Sequence, residues 1–187
     1  MSAPQFHLRR AIASDLDAVL ALERATALAP HWPPSAYSAI LESTTLHRCL
    51  FVAEKDNSLA GFAVGLLHAS TPDSIAELES VVVSDSYRRA GIGRALCRAV
   101  LDWSRSHGAT EAVLEVRASS AAAIALYASL GFTLAARRPH YYRDPGDDAL
   151  LMRMEFNEAA HGSIQPACSV ESSRERIRSI AQRPRCQ

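Results

Sequence analysis

Two stretches of the 187-residue chain carry side chains whose type and spacing could do chemistry. The first runs Val81-Val82-Val83-Ser84-Asp85-Ser86-Tyr87-Arg88-Arg89-Ala90-Gly91-Ile92-Gly93-Arg94. A β-branched run enters a loop with two adjacent arginines, and two glycines separated by one residue then open a long helical pattern. Glycine lets an anion approach the backbone. The first N–H groups of a helix have no intrahelical acceptor, and the helix dipole favours negative charge in front of them. Arg94 adds a charge-assisted donor in the first turn. The chemistry is that of phosphate binding. A dinucleotide loop would need a third glycine where Leu96 stands, and a P-loop would need a Lys-Ser/Thr pair that is absent. A lone G-x-G would be a simple turn before a helix; the arginines and the valine run set this one apart.

The second stretch spans residues 114–132. Glu115 sits in a strand pattern, sharing one face with Val113 and Arg117 while Leu114 and Val116 take the other. A carboxylate there can accept a proton directly or through a water; the alternative is a surface ion pair with Arg117. Tyr127 lies in an alanine-rich helical pattern, where a phenol can donate a proton; by spacing alone it reads as a core tyrosine. Upstream, Glu77 and Glu79 alternate with Val81 and Val83, which would put all four on one face and makes Glu79 a second candidate base. No Cys or Ser stands in a nucleophile context.

The elements that must position these groups follow from periodicity. Residues 6–11 read as a strand. Ser14 reads as an N-cap with Asp15 and Asp17 in the first turn, opening an amphipathic helix to about residue 28. Pro30-His31-Trp32-Pro33-Pro34 breaks it, and a helix over residues 35–44 follows. Strands come next at 49–54 and 59–68, joined by an Asp56-Asn57-Ser58 turn, then at 75–83. A helix over 91–107 presents Ile92, Leu96, Val100 and Trp103 on one side. A strand at 110–117, a helix at 119–130 stopped by Gly131, a strand at 132–137, a polar aromatic loop and a strand at 148–156 complete the pattern. The fold class is α/β (α+β), a mixed central sheet of about seven strands with helices on both faces. Residues 1–156 form one domain. From 157 to 187 the period stops and Ser, Arg and Gln accumulate, which reads as a disordered tail.

Composition narrows the partners. Formal net charge is zero, so no overall field draws the chain to nucleic acid or to an anionic membrane. No apolar run approaches the ~18–20 residues of a membrane span. Cys49, Cys97, Cys168 and Cys186 are scattered, without a CxxC pair or a histidine at zinc spacing, so no metal and no disulfide is expected, and a cytoplasmic setting is the default.

Arg88-x-x-Gly91-x-Gly93 resembles the Q/R-x-x-G-x-G/A signature of the GNAT superfamily of N-acetyltransferases. Leu114-Glu115-Val116-Arg117-Ala118-Ser119-Ser120, with Leu126-Tyr127 and Gly131-Phe132, resembles the LEVR-x-S-N…LY-x-x-x-GF block of the ribosomal-protein-alanine N-acetyltransferases. Arg138-x-x-Tyr141-Tyr142 and Asp148-Ala149-x-x-Met152 continue that likeness, and Pro30-His31-Trp32-Pro33 is more loosely similar to the group's substrate-side loop. The resemblance covers roughly residues 6–156 and implies the GNAT fold. It implies acetyl-CoA as co-substrate, bound through Val81, Val82, Val83, Arg88, Arg89, Ala90, Gly91, Ile92, Gly93 and Arg94. It implies Glu115 as general base and Tyr127 as general acid, with Trp32, Glu79, Arg138, Tyr141 and Tyr142 on the acceptor side. Ser120 stands where the group carries a coenzyme-contacting Asn, so that contact is shortened here. The implied reaction is direct acetylation of the N-terminal α-amine, alanine first, of a ribosomal protein. A different protein N-terminus, a small-molecule amine, or a CoA-sensing domain without catalysis are the other readings.

Overall fold

The structure, a computed structural model, describes residues 6–42, 47–69 and 74–156. In chain order its elements are β1 (His7–Arg10), α1 (Leu16–Ala25), α2 (Pro34–Glu42), β2 (Arg48–Lys55), β3 (Ser58–His68), β4 (Ser74–Val83), α3 (Ile92–Ser106), β5 (Ala109–Arg117), α4 (Ala121–Ala128), β6 (Thr133–Arg143) and β7 (Gly146–Glu155). The seven strands make one sheet in the order β1-β2-β3-β4-β5-β7-β6. All neighbours are antiparallel except β4 and β5. Asp56 and Asn57 both take positive φ, the conformation a tight hairpin between β2 and β3 demands.

Alternation along the strands sends apolar side chains to both faces, and each face acquires a helical cover. Cys49, Ala63, Leu78, Leu114 and Met152 pack with Leu96, Cys97 and Val100 of α3, and α4 lays Ile124, Leu126 and Tyr127 against the same cluster. On the other face Leu50, Val52, Phe62, Val64 and Val82 pack with Val19 and Leu20 of α1 and Tyr37 and Ile40 of α2. A Cβ on Gly65 would sit 2.5 Å from Val100 Cγ1, so glycine at that position is what lets α3 lie close on β3. Cys49 and Cys97 are buried, free thiols. Burial pushes both up to about 12, so they stay protonated and behave as small apolar residues, as their sequence context implied.

Local outcomes differ from the expectations in four places. Ser14 does not cap α1. The carboxylate of Asp15 instead accepts the Ile12 N–H at 2.8 Å and a forked pair of bonds from Arg9 at 2.7 and 2.8 Å, and a 3-10 turn precedes the helix. The α1 helix ends at Ala25, three residues early. Ser120 occupies the N-cap position of α4 but makes no side-chain cap bond, and the Ser119 hydroxyl donates to Asp147 at 2.6 Å. The polar aromatic segment after residue 137 is strand: β6 continues to Arg143 through register breaks between Arg138 and Tyr142. The tail at 157–187, with Cys168 and Cys186, lies outside the described residues.

Candidate active site

The parallel ladder between β4 and β5 is short. Residues 74–77 pair with residues 109–113, and there the pairing stops. Residues 78–83 of β4 remain held by β3 on their other side, and residues 114–117 of β5 remain held by β7. The two strands therefore diverge around a gap in the middle of the sheet. Unpaired strand edges facing each other are a ready set of backbone donors and acceptors.

A β-bulge sits on the β4 side of this gap. Gly65 pairs with Leu78 and Val64 with Ser80, leaving Glu79 as the extra residue. The bulge overturns one sequence expectation. Glu77, Glu79, Val81 and Val83 do not share a face. Leu78 and Val81, three apart, both pack toward α3, which strict alternation forbids and one inserted residue allows. Glu77 meets His68 at 3.1 Å, while both oxygens of Glu79 are held by Arg48, Nε to Oε2 and Nη2 to Oε1 at 3.0 Å each.

Glu115 lies across the gap on β5, on the face alternation assigned it. Its Oε1 accepts from Arg138 Nη1 of β6 at 2.7 Å, and its side chain is only 8% exposed. Its partner is Arg138, not the Arg117 of the alternative ion-pair reading. Arg117 instead donates to the carbonyls of Pro145 and Asp144. Each arginine also stacks on a tyrosine: Arg138 over Tyr141 at 3.9 Å and Arg117 over Tyr142 at 4.1 Å, with the tyrosine rings edge to face at 5.1 Å. Asp148 pins this hairpin by accepting the His140 N–H at 2.8 Å and Arg137 Nε at 2.6 Å, and these bonds hold its carboxyl below the usual range. Glu115, Arg138, Tyr141 and Tyr142 thus form one connected group.

Trp32 reaches the same face through a buried carboxylate that the sequence reading passed over. Glu23, 1% exposed, accepts the Trp32 N–H at 2.8 Å and the Tyr37 hydroxyl at 2.9 Å through one oxygen. The rings of Trp32 and Tyr37 lie 5.6 Å apart. Desolvation, then the charges of Glu23 and Glu79, push the Tyr37 hydroxyl above its ordinary pKa. The signal for Glu23 was present: an acid beside Val19 and Leu20 on the apolar side of a helix needs buried donors.

On the α3 face the loop after β4 has the expected form. Arg89 and Gly91 take positive φ, and Gly91 at φ +81° is the residue before α3. The Ala95 N–H bonds to the Gly91 carbonyl at 3.1 Å, so the N–H groups of Ile92, Gly93 and Arg94 precede the first bonded donor and have no intrahelical acceptor. A Cβ on Gly93 would lie 3.4 Å from Leu126 and 3.6 Å from Val83, so this position faces the cleft between α3, α4 and β4. Arg88 is exposed and pairs with Asp85. Arg94, expected on the phosphate loop, donates to the Ser129 hydroxyl at 2.7 Å and so links the start of α3 to the end of α4. Tyr127 stands in this cleft against Phe132, ring centroids 6.1 Å apart. Burial raises its hydroxyl above the ordinary phenol value, with Cys97 adding to the effect.

The profile of the Acetyltransferase (GNAT) family matches residues 16–132. This chain belongs to the GNAT family of acetyltransferases. GNAT enzymes take their acetyl group from acetyl-CoA. An N-alpha-acetyltransferase named RimI from Mycobacterium tuberculosis is 37% identical over 127 residues, 68% of this chain and 77% of that protein. A Bacillus subtilis protein that carries the name "Putative [ribosomal protein bS18]-alanine N-acetyltransferase" is 31% identical over 144 residues, 77% of this chain and 91% of that protein. The chain spans only 33% of an uncharacterized Mycobacterium leprae relative. The crystal structure of the ribosomal-protein-S18-alanine N-acetyltransferase from Escherichia coli superposes with a TM-score of 0.70 at 29% identity, covering 86% of this chain and 99% of that one. The GNAT fold expected from the sequence therefore stands. Among the described residues no helix is long and apolar enough to cross a membrane, and no group of three His, Cys, Asp or Glu could hold a metal.

Proposed function

We propose that this GNAT enzyme transfers the acetyl group of acetyl-CoA to the N-terminal α-amine of a protein, with alanine as the favoured first residue and a ribosomal protein as the acceptor. One observation carries the reading. The carboxylate of Glu115 lies beside the gap on the face opposite α3, and the Tyr127 phenol, kept protonated by burial, packs on the α3 face. The coenzyme approaches from the α3 side, its pyrophosphate at residues 89–94 and its pantetheine along the open edge of residues 81–83. The acceptor approaches from the side of Trp32, Tyr141 and Tyr142, and the thioester lies between them.

The steps follow from this partition. The α-amine, with a pKa of about 8, loses a proton to Glu115 and attacks the thioester carbon. Backbone N–H groups near Val83 stabilise the tetrahedral oxyanion. The C–S bond breaks as Tyr127 gives its proton to the departing sulfur. An ordinary phenol at about 10 is a weaker acid than a thiol at about 8.5, which would make that transfer unfavourable in water. Burial raises both the Tyr127 hydroxyl and the neighbouring Cys97 thiol, so the shift gives the phenol no advantage in acidity; its part is to donate to the sulfur as negative charge builds there in C–S cleavage.

Acceptors other than ribosomal proteins, or small amines, are the second reading. The Arg–Tyr stacks on β6 favour a peptide, since flat, amphipathic side chains on a strand present hydrogen-bonding groups to an extended backbone. The test is to incubate the purified chain with acetyl-CoA and peptides that begin with Ala, Ser, Met or Gly, together with a panel of small amines. Mass spectrometry then identifies the acetylated nitrogen. Exclusive modification of small amines would overturn the reading. Comparing protein N-termini in cells with and without the gene would name the acceptor.

A further inference from the structure

The bulge on β4 turns Glu79 and its neighbour Ser80 onto the same face of the sheet, the one opposite α3. Ser80 pairs in register with Val64, which packs in the cluster under α1 and α2. Ser80 is 8% exposed. Its Oγ is buried and has no hydrogen-bond partner among the described residues.

A buried hydroxyl ordinarily satisfies itself on a nearby carbonyl. Ser104, fully buried, does so on Val100 at 2.8 Å. An orphan costs free energy, and replacing Ser80 with an apolar residue of similar size would remove that cost. The orphan stands where β4 has lost its neighbour, on the rim of the gap and beside the acceptor-side carboxylate Glu79. The other buried orphan among the described residues, Trp103 Nε1, lies in α3 away from the gap.

Resting on the function proposed above, we propose that Ser80 is a substrate-positioning residue, its Oγ accepting a hydrogen bond from the attacking α-amine and its O–H donating to the carbonyl of the acceptor's first residue. A serine hydroxyl is donor and acceptor at once. An N-terminal residue offers an amine and a carbonyl on adjacent backbone atoms, and a lysine ε-amine does not. One hydroxyl in this position therefore fixes the nitrogen lone pair toward the thioester and selects the α-amine. No proton is transferred to Ser80; Glu115 remains the base.

The test is Ser80→Ala in the full chain with three readings: melting temperature, acetyl-CoA affinity by calorimetry, and kcat/KM for an Ala-starting peptide. The expected result is a melting temperature equal to or above that of the parent, unchanged acetyl-CoA affinity, and kcat/KM lowered roughly tenfold, the scale of one hydrogen bond. Ser80→Thr, which keeps the hydroxyl, should retain most of the rate. Unchanged kcat/KM in a folded Ser80→Ala protein overturns the inference. So does a melting temperature that falls, because the hydroxyl then serves the fold. If the parent protein acetylates no peptide N-terminus at all, the functional reading fails first, and this inference falls with it.

Discussion

Glu115→Gln separates charge from shape at the proposed base. Gln retains an Oε1 at the position that now accepts Arg138 Nη1 at 2.7 Å, and Arg138 keeps its stack on Tyr141. The folded state loses only the charge assistance of one hydrogen bond, about 1 kcal/mol, or roughly 2–4 °C of melting temperature for a domain of this size. The rate is affected far more, because a positioned general base contributes about 10²–10⁴-fold. With an amine pKa of about 8, about a tenth of the acceptor is neutral at pH 7 and about nine tenths at pH 9. The variant, dependent on amine that has already lost its proton, should gain about ninefold in kcat/KM over that interval. The parent should gain much less. Glu79→Gln is the comparison. Both Glu79 oxygens are taken up by Arg48, so this variant should weaken peptide binding while keeping the parent's pH profile. Initial rates of CoA release on an Ala-starting peptide at pH 7 and pH 9 give the answer. A steep profile for Glu79→Gln and a parent-like one for Glu115→Gln would refute the assignment.

Tyr127→Phe keeps the ring against Phe132 and removes only the hydroxyl. Melting temperature and acetyl-CoA affinity should hold while turnover falls about 10²–10⁴-fold, and the defect should shrink with a thioester of a more acidic thiol. Gly93→Asp directs a carboxylate into the cleft between Leu126 and Val83 and should abolish acetyl-CoA binding in calorimetry with the circular dichroism spectrum unchanged. Gly91 is a poorer choice, since a Cβ there meets nothing but is strained at φ +81°. Glu23→Ala strands the Trp32 N–H and the Tyr37 hydroxyl, at a cost of about 3 kcal/mol, and thermal denaturation should shift down by roughly 6–12 °C. Asp15, held down by Arg9, Asp147, held down by Ser119, and Asp148, held down by the His140 N–H and Arg137, all have depressed pKa values. Depressed carboxylates favour the folded state above their unfolded value of about 3.9 and lose that contribution as pH falls through the lower folded values. The melting temperature should therefore be flat from pH 7 to 5 and drop below about pH 4, as differential scanning fluorimetry would record.

The sheet, its helical covers and the face of Glu115 were legible in the sequence because each follows from local periodicity. The same rule misplaced Val81 and Val83 relative to Glu79, since a bulge adds one residue without leaving a mark in the alternation. It also offered Arg117, in the alternative ion-pair reading of Glu115, where Arg138 is the partner. Arg117 is two residues along the same strand, but salt-bridge partners are set by the neighbouring strands, and β6 reaches Glu115 across β7 through a register no short window contains. Residues 138–143 read as loop because Pro139, a histidine and two tyrosines erase the alternation. Ladder bonds to β7 and the anchors of Asp148 keep the segment extended all the same.

The divergence of β4 and β5 also has a mechanical meaning. The sheet is a fork: β1 to β4 form one tine, β5 with β7 and β6 the other, and a four-residue ladder is the crotch where they join. Helix α3 lies across both tines as a splint, its Leu96 and Val100 set against β3 on one side and Leu114 on the other. A frame of this kind resists separation of the tines by bending the splint, not by stretching any one bond. The spacing between the two proposed proton-handling groups, Glu115 on β5 and Tyr127 on α4, is therefore a property of the helix beneath the sheet as much as of the elements that carry them.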